Sequence, residues 1–181
     1  MYLAGESAGG NIVLQILSHI LHPHPQVESL PSPDDLTFAG VFLMSPWVSP
    51  SGAVAGNDEK DIISSKRLSQ WGGLFLQDIS QEDNGYVEPL KAPEGWYRGL
   101  GRVAGRVLMT SGSCESMAPA HVLFRDTCIQ EGVEMSFLLD EGGCHDSLIY
   151  DFSLRLLHIL QKPQIGSLTP KVVDWFAAGL S

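Results

Sequence analysis

Five residues near the start of the chain, Gly5-Glu6-Ser7-Ala8-Gly9, constrain the fold more than any other stretch. They sit between an apolar strand end, Tyr2-Leu3-Ala4, and a run in which Ile12, Val13, Ile16, Leu17, Ile20 and Leu21 recur at helical spacing. The pattern predicts a helix that starts near Gly9 and stops before Pro23, with Pro25 as a second breaker. A strand that turns straight into a helix needs a very tight turn. Gly5 and Gly9 suit its flanks, where side chains would meet the neighbouring strand and helix. Ser7 at the tip is then held in a strained conformation with its hydroxyl lifted clear of the sheet. The helix points its N-terminus at the same place, and the Ala8 N–H can donate to an oxyanion there. The pattern G-x-S-x-G occurs by chance in many proteins, so a small-residue turn around a structural serine stays open as an alternative. Glu6 reads as a flanking residue and not as a proton carrier.

The rest of the chain alternates strand and helix signals. Thr37 to Met44 is nearly continuous apolar sequence, as in a strand buried on both faces, and Ser45-Pro46-Trp47 ends it. Residues 50–100 change character, with many Gly, Pro and polar residues; they read as an insertion over the top of a sheet. Leu68, Trp71, Leu74 and Phe75 could share one helical face there. Val107 to Thr110 is a further buried strand. Pro119 suits a helix first turn and Gly132 its C-cap; Val133 to Leu139 is the next strand. Leu148, Phe152, Leu156 and Ile159 mark a helix broken at 163–167, and Val172, Val173, Phe176 and Ala177 a terminal one. This order predicts an α/β fold, a parallel sheet flanked by helices, in a single domain: elbow, helix and strand over 1–49, insertion over 50–100, and the remaining strands and helices over 101–181.

Gly10 and Asn11 extend the first motif to Gly-Glu-Ser-Ala-Gly-Gly-Asn. This resembles the GDSAGGN-type nucleophile elbow of the hormone-sensitive-lipase-like esterases of the α/β-hydrolase fold. Ser45-Pro46-Trp47, and Tyr86-Val87-Glu88-Pro89-Leu90 followed by Trp96, are also similar to that family, to its fungal members in particular. The likeness runs from the elbow to the last helix. It implies a serine esterase acting through an acyl-enzyme on a small-molecule ester, one with a short or medium acyl chain, with the catalytic residues in the order serine, acid, histidine and no cofactor or metal.

A serine hydroxyl needs a base, and the base an acid to orient it. His145 follows a strand and a glycine loop, on the same sheet edge as Ser7. His19 and His158 lie within helices, His22 and His24 at a helix end, and His121 in a helix first turn. Glu115 follows the strand at Val107–Thr110, where the family usually places Asp; either carboxylate can hold an imidazolium. Asp140, Glu141 and Asp146 are rivals, but they share the loop of His145 and would struggle to reach the far side of its ring. An ordinary loop histidine and a solvated strand-end carboxylate remain the bland alternatives. His19, His22 and His24 lack a further ligand at a typical metal spacing.

Composition narrows the partners. The 181 residues suffice for one sizeable core, with hydrophobic content 44% and charged content 18%. A formal net charge of −10 leaves no basic footprint for nucleic acid or an anionic membrane. The 3 cysteines are too few for a disulfide framework and read as free thiols in a reducing compartment. No signal peptide or membrane span is legible, so a cytoplasmic location is the default expectation.

The resembled family carries a His-Gly-Gly-type oxyanion motif upstream of its elbow, and the chain contains none. Strands and cap helices expected before Tyr2 are also missing, which implies a catalytic half lacking its N-terminal half. Such a half should be inactive or impaired, with an open apolar strand edge at Tyr2-Leu3-Ala4. Two other readings stand beside the enzyme: a non-catalytic binding protein on the hydrolase scaffold, and an inactive remnant or truncated gene model.

Overall fold

A computed structural model describes residues 1–32, 34–156 and 168–180. Among the described residues four strands, β1 (Tyr2–Glu6), β2 (Gly40–Met44), β3 (Val107–Gly112) and β4 (Met135–Asp140), form one sheet in sequence order, every neighbouring pair parallel. The helices are α1 (Ser7–Leu21), α2 (Ser65–Leu76), α3 (Asn84–Val87), α4 (Leu100–Val103), α5 (Ala118–Gln130), α6 (Ser147–Leu156) and α7 (Leu168–Ala178). A 3₁₀ turn spans Pro89–Lys91.

The period-two alternation of each strand sorts its side chains between two cores. On one face, Leu3, Val41, Leu43, Val107, Met109 and Phe137 meet Val13, Leu14 and Leu17 of α1 and Phe124 and Cys128 of α5. On the other, Tyr2, Phe42, Leu108 and Leu138 meet Leu148 of α6 and Leu168, Val172 and Trp175 of α7. Burial on both faces explains the near-continuous apolar reading of β2 and β3; all six residues of β3 are buried. β1 is an outer strand of this sheet, and Ala4 and Glu6 within it are exposed.

Three local expectations change. The helix after the elbow begins at Ser7, not Gly9, so the turn is tighter than the sequence suggested. Thr37 to Ala39 lie outside β2, although Phe38 bridges to Ala104 in parallel. In α2 only Leu68 of the proposed apolar face is buried, on Trp47 and Met117, while Trp71, Leu74 and Phe75 are exposed. Ile159, His158 and the break at 163–167 lie outside the described residues. Among the described residues no helix is long and apolar enough to cross a membrane.

Candidate active site

All strands being parallel, their C-terminal ends share one rim, and the loops that leave it carry the expected residues. Ser7 is the first residue of α1 and has φ of +49°. The chain reverses so sharply that a Cβ on Gly5 would stand 2.6 Å from the Gly9 carbonyl carbon. Gly9 itself meets nothing within 4 Å; the second close approach falls at Gly10, where a Cβ would be 2.7 Å from Cβ of Pro46. The helix therefore needs its small residue at Gly10, where it crosses the end of β2. Asn11 is buried and donates to the carbonyls of Trp47 (2.8 Å) and Val87 (3.0 Å), and the Trp47 N–H donates to the Ser7 carbonyl at 2.9 Å.

The structure brings Ser7, His145 and Glu115 together. The Ser7 hydroxyl lies 2.9 Å from His145 Nε2, and His145 Nδ1 lies 3.2 Å from Glu115 Oε2. Glu115 and His145 are 2% and 1% exposed, low enough that the carboxylate must be satisfied internally. Its Oε1 accepts from the Ser45 hydroxyl at 2.7 Å and from the Gly112 N–H. With Glu115 accepting at Nδ1, the neutral imidazole presents its Nε2 lone pair to Ser7.

Gly112 lets the two loops touch. A Cβ there would come within 2.5 Å of the Gly143 carbonyl carbon, and Cys114 N–H donates to the Gly143 carbonyl at 2.9 Å. Backbone strain also gathers here. The non-glycine residues with positive φ among the described residues are Ser7, Ser45 (+43°) and Asp146 (+55°), and all three touch this cluster. Each such residue costs of order 1–3 kcal/mol, which surrounding contacts must offset.

Several participants escaped the sequence reading. Asp146 does reach His145, on the nitrogen opposite the one expected of an acid: its Oδ2 is 3.1 Å from Nε2. Burial works against charge on His145, but hydrogen bonds to Asp146 and Glu115, with their negative charges, push the imidazole up to about 10. Glu6 was set aside as a mere flank; a hydrogen bond to Asp146 and partial desolvation push its carboxyl up to about 7, so it can hold a proton at the edge of the site. His121, read as a poorly placed helix residue, is fully buried 4.0 Å from Glu115. Its ring bridges the Ser111 hydroxyl (2.7 Å) and the Pro46 carbonyl (2.8 Å), and burial lowers its pKa, so the neutral form holds the ends of β2 and β3 together. The helical stripe beneath it gave no hint of this, because its partners come from the ends of β2 and β3.

A cleft of about 470 Å³ runs along Gly56, Asn57, Lys60, Cys114, Glu115 and Pro119. It flanks the acid loop, and residues 56–60 form part of its wall beside Glu115. His19, His22 and His24 turn to separate partners: the Glu28 carbonyl, the Trp96 carbonyl and the Asp83 carboxylate. Cys114, Cys128 and Cys144 are free thiols.

Comparison with known proteins follows the same lines. A hormone-sensitive lipase from a metagenome library superposes with TM-score 0.69 at 16% identity, over 98% of this chain and 54% of that one. An esterase from the bacterial hormone-sensitive lipase family gives 0.61 at 18%, covering 88% and 47%. Carboxyl esterase 2 from the mycorrhizal fungus Tuber melanosporum gives 0.62 at 15%, covering 81% and 45%. The chain thus spans about half the length of these solved structures. No curated protein matches it at a significant level. At such identities the superpositions speak for the fold alone. The sequence itself goes further: a family model described as alpha/beta hydrolase fold matches residues 1–149, from the elbow through the histidine loop, and the chain belongs to that family.

Proposed function

We propose that this chain carries the catalytic centre of a carboxylic ester hydrolase of the hormone-sensitive-lipase-like kind. The observation that supports it most is the unbroken relay from the Ser7 hydroxyl through His145 to Glu115, at 2.9 and 3.2 Å, on a left-handed elbow residue. In this reading Ser7 Oγ attacks the ester carbonyl while His145 Nε2 takes its proton. The Ala8 N–H, in the first turn of α1, donates to the oxyanion. His145 then delivers the proton to the departing alcohol, and water releases the acyl group by the same steps. Glu115 holds the imidazole in the required tautomer. The lipase and esterase names of the superposed structures favour a small-molecule ester as substrate, with no cofactor. Losing one oxyanion donor costs roughly 10²–10³ in turnover. Ala8 is the one donor assigned here, so slow turnover by these 181 residues is part of the proposal.

A fluorophosphonate probe tests the reading without needing turnover. Ser7 Oγ should displace fluoride and form a phosphonyl ester, located by peptide mass spectrometry and absent in Ser7→Ala. A folded chain that leaves Ser7 unlabelled would sink it. The contact between Asp146 and the Nε2 nitrogen favours one other reading, a binding protein that retains the scaffold with its imidazole held as a cation. That reading expects no labelling at any pH.

A further inference from the structure

We propose that Asp61 is a positioning residue of this site, a single carboxylate that clamps the acid-bearing loop to the histidine-bearing loop. The inference rests on the serine hydrolase reading above and adds a residue to it.

β3 and β4 run in register only as far as Gly112 and Asp140. Beyond that pair the two loops leave the sheet, and the Glu115–His145 distance depends on what joins them. Asp61 lies outside both. Its Oδ1 accepts from the His145 N–H at 2.9 Å, and its Oδ2 accepts from the Ser116 N–H at 2.8 Å. The donors are 84 and 55 residues away in sequence. One belongs to the base itself and the other to the residue directly after the acid. The carboxylate therefore fixes the backbone from which the imidazole projects and the backbone that follows Glu115.

The segment around Asp61 is built to hold it there. Gly56 N–H donates to the Ser116 carbonyl at 2.6 Å, and the Ser116 hydroxyl donates to the Ile63 carbonyl at 3.4 Å. A turn closes beneath the residue, its own N–H donating to the Asp58 carbonyl at 3.1 Å. Oδ1 also accepts from the Ile62 N–H at 2.8 Å. Three N–H groups thus converge on two oxygens. Only a carboxylate answers them: the amide of asparagine has one acceptor oxygen, and its NH₂ would face an N–H donor. Removing an acceptor leaves a partly buried backbone N–H unsatisfied and loosens the tie at Glu115 and His145 themselves, because the other bonds between the loops, from Ser113 and Cys114 to Asp140 and Gly143 and from Gly142 to Ser113, lie nearer the sheet. A shift of about 1 Å in a catalytic group can cost on the order of 100-fold in rate, so the effect belongs to the chemistry as well as the fold.

The test compares Asp61→Asn, Asp61→Ala and Asp61→Glu with the unaltered full chain. Fluorophosphonate labelling of Ser7 is followed against pH, with thermal unfolding and the imidazole N–H resonances of His145 by NMR. We expect labelling of Asp61→Asn and Asp61→Ala to slow by about 10- to 100-fold at the alkaline plateau of the profile, where the imidazole is neutral in every variant. The midpoint of the pH profile should move down, because His145 loses part of its contact with Glu115. The hydrogen-bonded Nδ1–H resonance should exchange faster, and Asp61→Glu should restore part of each effect. Labelling rates and pH profiles equal to the unaltered chain would overturn the inference while leaving the hydrolase reading intact. Loss of the whole fold in Asp61→Asn, with no recovery in Asp61→Glu, would overturn it too, placing Asp61 among general stabilising residues. If the unaltered chain is not labelled, the hydrolase reading falls; the Nδ1–H resonance then decides the clamp separately, and its persistence in Asp61→Asn refutes it.

Discussion

Oδ2 of Asp146 lies 3.1 Å from Nε2 of His145, the same nitrogen that meets the Ser7 hydroxyl at 2.9 Å. Two carboxylates therefore grip one imidazole from opposite sides, Glu115 at Nδ1 and Asp146 at Nε2. The cation suits both carboxylates; the free base keeps Glu115 at Nδ1 and Ser7 at Nε2 but has no proton for Asp146. The charge on His145 in turn works against protonation of His121 on α5 and of Glu6 on β1.

Asp146→Asn should free the base. With the Asp146 charge removed, the imidazole falls from about 10 toward its ordinary value, and its neutral fraction at pH 7 grows. Below the pKa, each unit of that fall multiplies the neutral fraction about tenfold. The midpoint of the pH profile of Ser7 labelling by a fluorophosphonate should move acidward, and labelling at pH 7 should speed up by about tenfold for each unit of that move. An unchanged midpoint would show that Asp146 does not restrain the base.

Stability should decline as the solution becomes alkaline. His145 binds its proton more tightly in the fold than in the unfolded chain, so its contribution is fully present below about 6.5 and disappears as pH rises through about 10. Glu6 carries the same sign in a lower window: its carboxyl is raised from 4.5 to about 7, so its smaller contribution is present below 4.5 and lost as pH rises through about 7. Urea unfolding between pH 5 and pH 10 should show both losses, and His145→Gln should flatten the upper one. A free energy that rises across the upper window would contradict the doubly held imidazole.

Much of this arrangement was readable along the chain because it is local. The Gly5–Gly9 turn, the apolar stripe from Ile12 to Leu21 and the apolar runs of β2 and β3 each carry their signal within a few residues. Residue order then placed Ser7, Glu115 and His145 on one rim. Asp61, Ser45 and His121 left no such trace. Each acts through backbone groups or a hydroxyl supplied by another element; Ser45 and Glu115 are 70 residues apart and His121 and Pro46 75. Asp146 was set aside as too near His145 in sequence to reach the far nitrogen, an argument that holds for Nδ1. Its φ of +55° turns it to Nε2 instead, which no periodicity could announce. The exposed Trp71 and Leu74 show the reverse case, part of an apolar face that the described residues leave open although Phe75 on the same face stacks on Trp47.

Ser45 offers a test that separates hydrogen bonding from backbone strain. Its hydroxyl donates to Glu115 Oε1 at 2.7 Å while its backbone sits at φ of +43°. Ser45→Ala removes a buried bond to a charged acceptor and should cost about 1.5–3 kcal/mol in urea unfolding. Ser45→Gly loses the same bond but adopts positive φ at little cost, so it should be more stable than Ser45→Ala by roughly 1 kcal/mol. Equal stabilities would mean that the left-handed backbone at this strand end carries no strain.

The two flanking glycines of the elbow should behave very differently. A Cβ on Gly5 would stand 2.8 Å from the Gly10 nitrogen and closer still to the Gly9 carbonyl, all rigid backbone at the start of α1. Gly5→Ala must push the helix off the strand, which displaces Ser7 from His145; the chain should lose several kcal/mol of stability, or fail to fold, and lose fluorophosphonate labelling. Gly9→Ala meets nothing within 4 Å. It exchanges a poor helix former for the best one inside α1, so stability should hold or rise by up to about 1 kcal/mol, with labelling of Ser7 retained. Thermal unfolding of the two variants side by side decides the matter. If Gly9→Ala proves as damaging as Gly5→Ala, something packs against that face of the elbow, and the space beside Gly9 is filled in the working protein.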